Sequence, residues 1–189
     1  MTEYTLPGWK INCIGALFIF PLLLLYGAPF VFIRYLWVDE TAFSAFVVQN
    51  VLLISNVADR LWLPAAIVLT GMPLHELIHG MCMAIHASDG WKSVKFGFNT
   101  RALAPFTHCK EPLTPKAYRW CLVMPAAVQG CLPALVGWYT GNILWLLYGI
   151  LFTWAAAGDL IILYLSRNIH SGMLQDHPGK AGFILTSVR

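Results

Sequence analysis

His75-Glu76-Leu77-Ile78-His79 lies inside an apolar run from about Leu61 to Ala87, long enough to span a membrane as a helix. Read as helix, the run places the two imidazoles at i and i+4 on one face, where both can hold one metal ion. A glutamate beside the first imidazole is placed to take a proton from metal-bound water. Three ionisable groups on a membrane helix are costly unless they serve a purpose. The stretch points to an all-α membrane protein built around a zinc hydrolytic site, with His75 and His79 as metal ligands and Glu76 as general base.

Composition agrees with a membrane setting. The 189 residues are 58% hydrophobic and only 11% charged, with a mean hydropathy of +0.65. A soluble domain carries about 25% charged residues. The net charge of +3 is scattered, with no basic patch interleaved with aromatics, which argues against a nucleic-acid partner. None of the five cysteines forms a CxxC pair, so neither a disulfide framework nor a cysteine zinc site is signalled. Cys13, Cys82, Cys121 and Cys131 fall in or near apolar segments and read as small hydrophobes. No small-residue cleavage site follows the N-terminal MTEYTLPGWK, so the first apolar run reads as an uncleaved span.

The chain reads as one domain, residues 1–189, with about four transmembrane helices. The first runs from about Ile11 to Ile33, kinked by Pro21 and Pro29. The second is the Leu61–Ala87 run. The third covers about Trp120 to Tyr139 and the fourth Ile143 to Leu165, joined by the tight turn Thr140-Gly141-Asn142. Ala42 to Val57 is apolar but short for a span and contains Gln49 and Asn50, so it reads as an interfacial or re-entrant helix.

Residues 88–117 form a polar excursion between spans two and three, with β-hairpin character. Val94-Lys95-Phe96-Gly97-Phe98 and Leu103-Ala104-Pro105-Phe106-Thr107-His108 read as its strands, with Asn99-Thr100-Arg101 as the turn. Pro105 suits an edge strand. Lys92, Lys95, Arg101, Lys110, Lys116 and Arg119 on the excursion, with Arg167, Lys180 and Arg189 on the tail, place the excursion and both termini in the cytoplasm. The expected localisation is an integral protein of a bacterial inner membrane. The tail ends in a short extended piece, Ala181 to Val188.

A catalytic zinc site uses three protein ligands and keeps one position open. Asp159, a lone carboxylate in a nearly uncharged helix, is the expected third ligand. His79 and Asp159 both lie about 12 Å in from the cytoplasmic ends of their spans, at about 1.5 Å per residue. Ala155, Ala156, Ala157 and Gly158 are small enough for close helix approach. Gln129 lies at a similar depth. It is either a donor to the developing oxyanion or, more simply, a polar contact between helices. His86 reads as an interfacial imidazole, and His108 as a loop residue that reaches the site only if the excursion folds back. Asp176-His177-Pro178 reads as a turn able to tie the tail to the catalytic side. An exposed edge of the hairpin could hold an unwound substrate by strand addition, because a substrate helix presents no accessible carbonyl.

HELIHG at 75–80, KFGF at 95–98 and PFTHCKEPLTPKAYRW at 105–120 occur in order with Pro125, Gly158-Asp159 and DHPGKAGF at 176–183. This combination resembles the DUF3267 family of zincin-like membrane peptidases, which is distantly similar to site-2 proteases. The resemblance covers most of the chain beyond about residue 60. It implies a zinc site near the cytoplasmic membrane face, with His75 and His79 as ligands and Glu76 catalytic. Site-2 proteases take a third ligand from an LDG aspartate. Here Ala157-Gly158-Asp159-Leu160 keeps the small residue and the aspartate but not the full motif, and the asparagine-proline motif is absent. The expectation is a Zn2+ metallopeptidase acting on a membrane protein or peptide substrate in the lipid bilayer. The competing expectations are a non-catalytic metal-binding scaffold or maturation factor, and a small transporter. The sequence leaves the oligomeric state open.

Overall fold

The computed structural model describes residues 1–60, 62–100, 104–177 and 179–186. Leu61, Arg101, Leu103, Pro178, Val188 and Arg189, which enter the sequence reading, lie outside these residues. In chain order the elements are β1 (Thr2–Leu6), α1 (Gly8–Trp37), α2 (Glu40–Ala58), α3 (Trp62–His86), β2 (Val94–Asn99), β3 (Ala104–Cys109), α4 (Pro115–Thr140), α5 (Ile143–Ala155), α6 (Ala157–Ser166), β4 (Met173–Asp176) and β5 (Ala181–Thr186). α1 to α4 are each long and apolar enough to cross a membrane, and α5 with α6 forms a further candidate, bent by 49°. The chain is an integral membrane protein.

Helix starts and irregularities follow local chemistry. Asp39 caps α2, its carboxylate accepting from the Ala42 amide at 2.8 Å. Thr114 caps α4, with Pro115 at the first position, where its missing N–H costs nothing. Two of the long proline-containing helices, α1 and α4, carry a π turn. In α1 it is Leu23–Gly27, just before Pro29; in α4 it is Ala126–Cys131, between Pro125 and Pro133. Proline removes a ladder hydrogen bond, and the widened turn absorbs the mismatch. α4 stops at Gly141 (φ 72°), and Asn142 caps α5 by accepting from the Leu144 amide at 2.9 Å.

Three expectations need correction. The β2–β3 hairpin follows the third long helix, between α3 and α4, rather than the second. The reason is that residues 40–58 form an unbroken, capped 19-residue helix that takes its own place in the order. Gln49 and Asn50 do not interrupt it: the Asn50 side chain donates to the Phe46 carbonyl at 2.9 Å and to the Gly141 carbonyl at 3.2 Å, and accepts from the Ile143 amide at 2.8 Å. Second, the span expected over 143–165 breaks at Ala156 (φ −77°, ψ 6°), so Asp159 lies in the first turn of a separate helix. Third, the protein is not purely helical outside the hairpin. β1, β5 and β4 form a three-stranded antiparallel sheet with β5 at its centre. The tail pairs with the N-terminal strand and meets the excursion through the Leu113–Leu174 bridge.

The tightest helix packing is between α4 and α5. A Cβ at Gly149 would lie 2.6 Å from the Gly130 carbonyl oxygen and 2.7 Å from the Ala134 nitrogen, so only glycine permits this approach. Of the small residues at 155–158, Ala156 and Ala157 are buried, whereas Gly158 is not needed for close approach: a Cβ there would meet only Ile11, at 3.9 Å. At the hairpin end, Cys82, Met83, Val94, Leu113, Tyr118, Cys121, Leu174 and Phe183 form a core that joins α3, the excursion, α4 and the tail sheet.

Candidate metal centre

α3 presents His75 and His79 one turn apart, both buried. α6 brings Asp159 to them from its first turn, where a carboxylate also suits the positive end of the helix dipole. The Nε2 atoms of His75 and His79 each lie 3.2 Å from the same oxygen, Asp159 Oδ2. Two ligand atoms about 2.0–2.2 Å from a tetrahedral ion are separated by roughly 3.4 Å, so the three side chains have the spacing of a ligand set.

The hydrogen bonds of the histidines test whether a cation fits. His79 Nδ1 lies 2.8 Å from the main-chain oxygen of Cys121. A carbonyl only accepts, so Nδ1 carries the proton. His79 Nε2 then faces the Asp159 carboxylate at 3.2 Å, where either a second ring proton or a bound cation satisfies both groups, so the arrangement accommodates a cation. His75 Nδ1 is buried without a hydrogen-bond partner. This donor set of two imidazoles and one carboxylate is one that zinc takes.

Glu76 follows His75 on the helix and lines a cavity of about 640 Å³ together with His79 and Asp159. The far wall comes from the hairpin, through Lys95, Thr107 and His108, and from the tail, through Asp176, His177 and Lys180. The excursion therefore folds back over the site, and His108 faces the cavity rather than standing in an open loop. Thr107 Oγ1 donates to the main-chain carbonyl of Glu76 at 2.9 Å. Gly80 leaves room for this approach: a Cβ there would lie 2.4 Å from the Phe96 ring.

Asp176 holds the tail in place. It accepts from the Tyr118 hydroxyl at 2.8 Å and the Cys109 amide at 3.4 Å, with His108 Nδ1 at 3.9 Å. Burial pushes its carboxyl pKa up, against the lowering effect of the Tyr118 hydrogen bond. The turn expected at Asp176-His177 thus does tie the tail to the cavity side.

Gln129 is engaged elsewhere. Its amide donates to the Gly71 carbonyl at 2.8 Å and to the Tyr148 hydroxyl at 3.2 Å, which is the interhelical role. His86 does not line the cavity; its Nδ1 lies 2.8 Å from the Cys82 carbonyl. A larger groove, about 1000 Å³ along α1, is almost wholly apolar and carries no metal-ligating side chain. Thr107 and Tyr118 lie in the PFTHCKEPLTPKAYRW stretch but were not anticipated as site residues. A second cluster, Cys82, His86 and Cys121, was also missed. A signal for it existed, because Cys82 and His86 repeat the i, i+4 spacing of His75 and His79.

A family model described as "Putative zincin peptidase", DUF3267, matches residues 68–173. The matched stretch includes His75, Glu76, His79 and Asp159 and stops before Asp176. No curated protein and no solved structure matches the chain.

Proposed function

The chain belongs to the DUF3267 family, and from that premise we propose that it is a membrane-embedded zinc metallopeptidase. The observation that carries the reading is the convergence of His75 Nε2 and His79 Nε2 on one Asp159 oxygen, 3.2 Å from each, beside Glu76. His75, His79 and Asp159 would hold the ion. Zinc in such a set supplies Lewis acidity that activates water and polarises a peptide carbonyl. Glu76 takes the proton of the attacking water on its carboxylate and passes it to the leaving amine nitrogen. Cys121 fixes the His79 tautomer through its carbonyl. The hairpin, a two-stranded sheet among the described residues, holds an unwound stretch of a membrane or juxtamembrane substrate beside the cavity.

The strand pairing supports a topology. β1 and β5 are hydrogen-bonded, so residues 2–6 and 181–186 lie on one side of the membrane. The lysines and arginines of the excursion and tail make that side cytoplasmic. An odd number of crossings would separate the two strands, so one of the candidate spans does not cross. That segment is α2. Its midpoint residue Asn50 bonds the α4–α5 turn, at the end of α4 away from the hairpin. α2 lies along the outer interface.

Metal content of detergent-purified protein, measured by mass spectrometry, tests the ligand set. The expected result is zinc in the wild type and in Glu76→Gln, with one fewer zinc per chain in Asp159→Ala. Cleavage assays on membrane substrates then separate the enzyme from a metal-holding scaffold: the enzyme loses turnover in Glu76→Gln, and a scaffold keeps its function. An Asp159→Ala protein that retains all its zinc would overturn the ligand assignment.

A further inference from the structure

We propose that Cys82, His86 and Cys121 form a second metal site, selective for a thiophilic ion and distinct from the His75–His79–Asp159 set. The inference does not rest on the peptidase reading. One ligand atom from each residue lies within 4.8 Å of the others. Cys82 and His86 are one helical turn apart on α3, and Cys121 faces them from α4, so the cluster repeats the architecture of the first site: an i, i+4 pair met by one donor from another helix.

Three observations point to a metal. Cys82 Sγ and His86 Nδ1 are 3.8 Å apart, close to the roughly 3.6 Å that separates a sulfur and a nitrogen ligand on one tetrahedral ion. Both sulfurs are buried, Cys82 at 7% and Cys121 at 0% exposure, and both thiols are free. The cluster contains no carboxylate. Two thiolates and one imidazole form a soft set that favours Zn2+ or Cu+ over Mg2+, Ca2+ or Mn2+. The His75–His79–Asp159 set contains a hard oxygen and no sulfur, so the two sites differ in preference.

The protonation balance is simple. Binding displaces one proton from each thiol. His86 Nδ1, which donates to the Cys82 carbonyl at 2.8 Å, gives up that contact, and its ring proton moves to Nε2. His86 is exposed, so the displaced protons and the incoming ion have a route to water. The two sites share a residue: Cys121 offers its sulfur to one and its carbonyl, through His79 Nδ1, to the other.

The test is a Co2+ titration of metal-stripped, reduced, detergent-solubilised protein, followed by absorbance and by bound metal per chain. The expected result for wild type is two Co2+ per chain with a thiolate-to-cobalt charge-transfer band. Cys82→Ser/Cys121→Ser should bind one Co2+ and lose the band. Asp159→Ala should lose one Co2+ and keep the band, which separates failure of this site from failure of the first and shows that the fold survives. Absence of the band in reduced wild type would overturn the proposal, as would an undiminished band in the double serine variant.

Discussion

The Thr107 hydroxyl donates to the main-chain carbonyl of Glu76 across 2.9 Å, so the hairpin is fastened to the turn of α3 that carries the Glu76 side chain. Gly80, whose amide closes the next helical turn, is the residue that lets β2 come close enough. One hydroxyl thus joins the wall of the cavity to its chemistry.

Replacing Thr107 with Val keeps the shape and removes the donor. The expected cost is about 1 kcal/mol of stability. Zinc content should stay unchanged and turnover should fall, because the substrate-holding edge shifts while the ligands do not. Metal analysis and a cleavage assay on the same preparation check this; unchanged turnover would show that the tether is dispensable.

Gly149→Ala places a methyl group against main-chain atoms of Gly130 and Ala134 rather than against a side chain that can swing away. A destabilisation of about 1–3 kcal/mol is expected, as for overpacking in a filled core. Thermal unfolding in detergent measures it, with Gly158→Ala as the control that should be nearly neutral.

Asn50 ties the middle of α2 to the α4–α5 turn through both ends of its amide. Asn50→Ala strands these partners, at an expected cost of about 1–3 kcal/mol. The same geometry makes a topological claim. Cysteines introduced singly at Ser44 and Ser55, in a background without native cysteines, should both react with an impermeant thiol reagent from the side opposite the hairpin. Labelling from opposite sides would mean that α2 crosses.

Asp176 gives the fold a pH dependence of definite sign. Its folded pKa is raised by burial, so the folded state binds the proton more tightly than the unfolded chain. Its contribution to stability is complete below the unfolded carboxylate pKa and is lost as pH rises through the raised value. Asp176→Asn should flatten that limb of the melting temperature against pH. Glu111 works in the other direction. It accepts from the Ser93 hydroxyl, foremost, and from the Ser88 and Asp89 amides, and these hydrogen bonds hold its pKa down. Its contribution is present above the ordinary glutamate range and is lost as pH falls, so Glu111→Gln should remove a decline on the acid side.

The convergence of His75, His79 and Asp159 was legible because its elements are local or strongly marked. His75, Glu76 and His79 follow helix periodicity, and Asp159 stands out as a lone carboxylate in an apolar helix. The hairpin was legible for the same reason, with β2 and β3 ending within a residue or two of the expected strands. What was hidden depends on distant contacts. Thr2–Leu6 is short and becomes β1 through pairing with residues 181–186. The break at Ala156 has no proline or glycine at the bend itself. Gln49 and Asn50 looked like interruptions of a span, whereas Asn50 meets its polar demand across the bundle at Gly141 and Ile143. The soft cluster escaped because its cysteines, taken one at a time, are ordinary apolar residues.

The strand order of the tail sheet also sets a timetable for synthesis. β5 follows every other element in the chain, yet it is the central strand, and β1 waits for it across 174 residues of intervening chain. Gly179 to Gly182 line the cavity. While the ribosome is still making the membrane helices, His75, His79 and Asp159 can assemble, but the roof above them cannot close. A cell making this protein therefore does not enclose the cavity until translation has passed Thr186, and nascent or truncated chains lack a finished chamber.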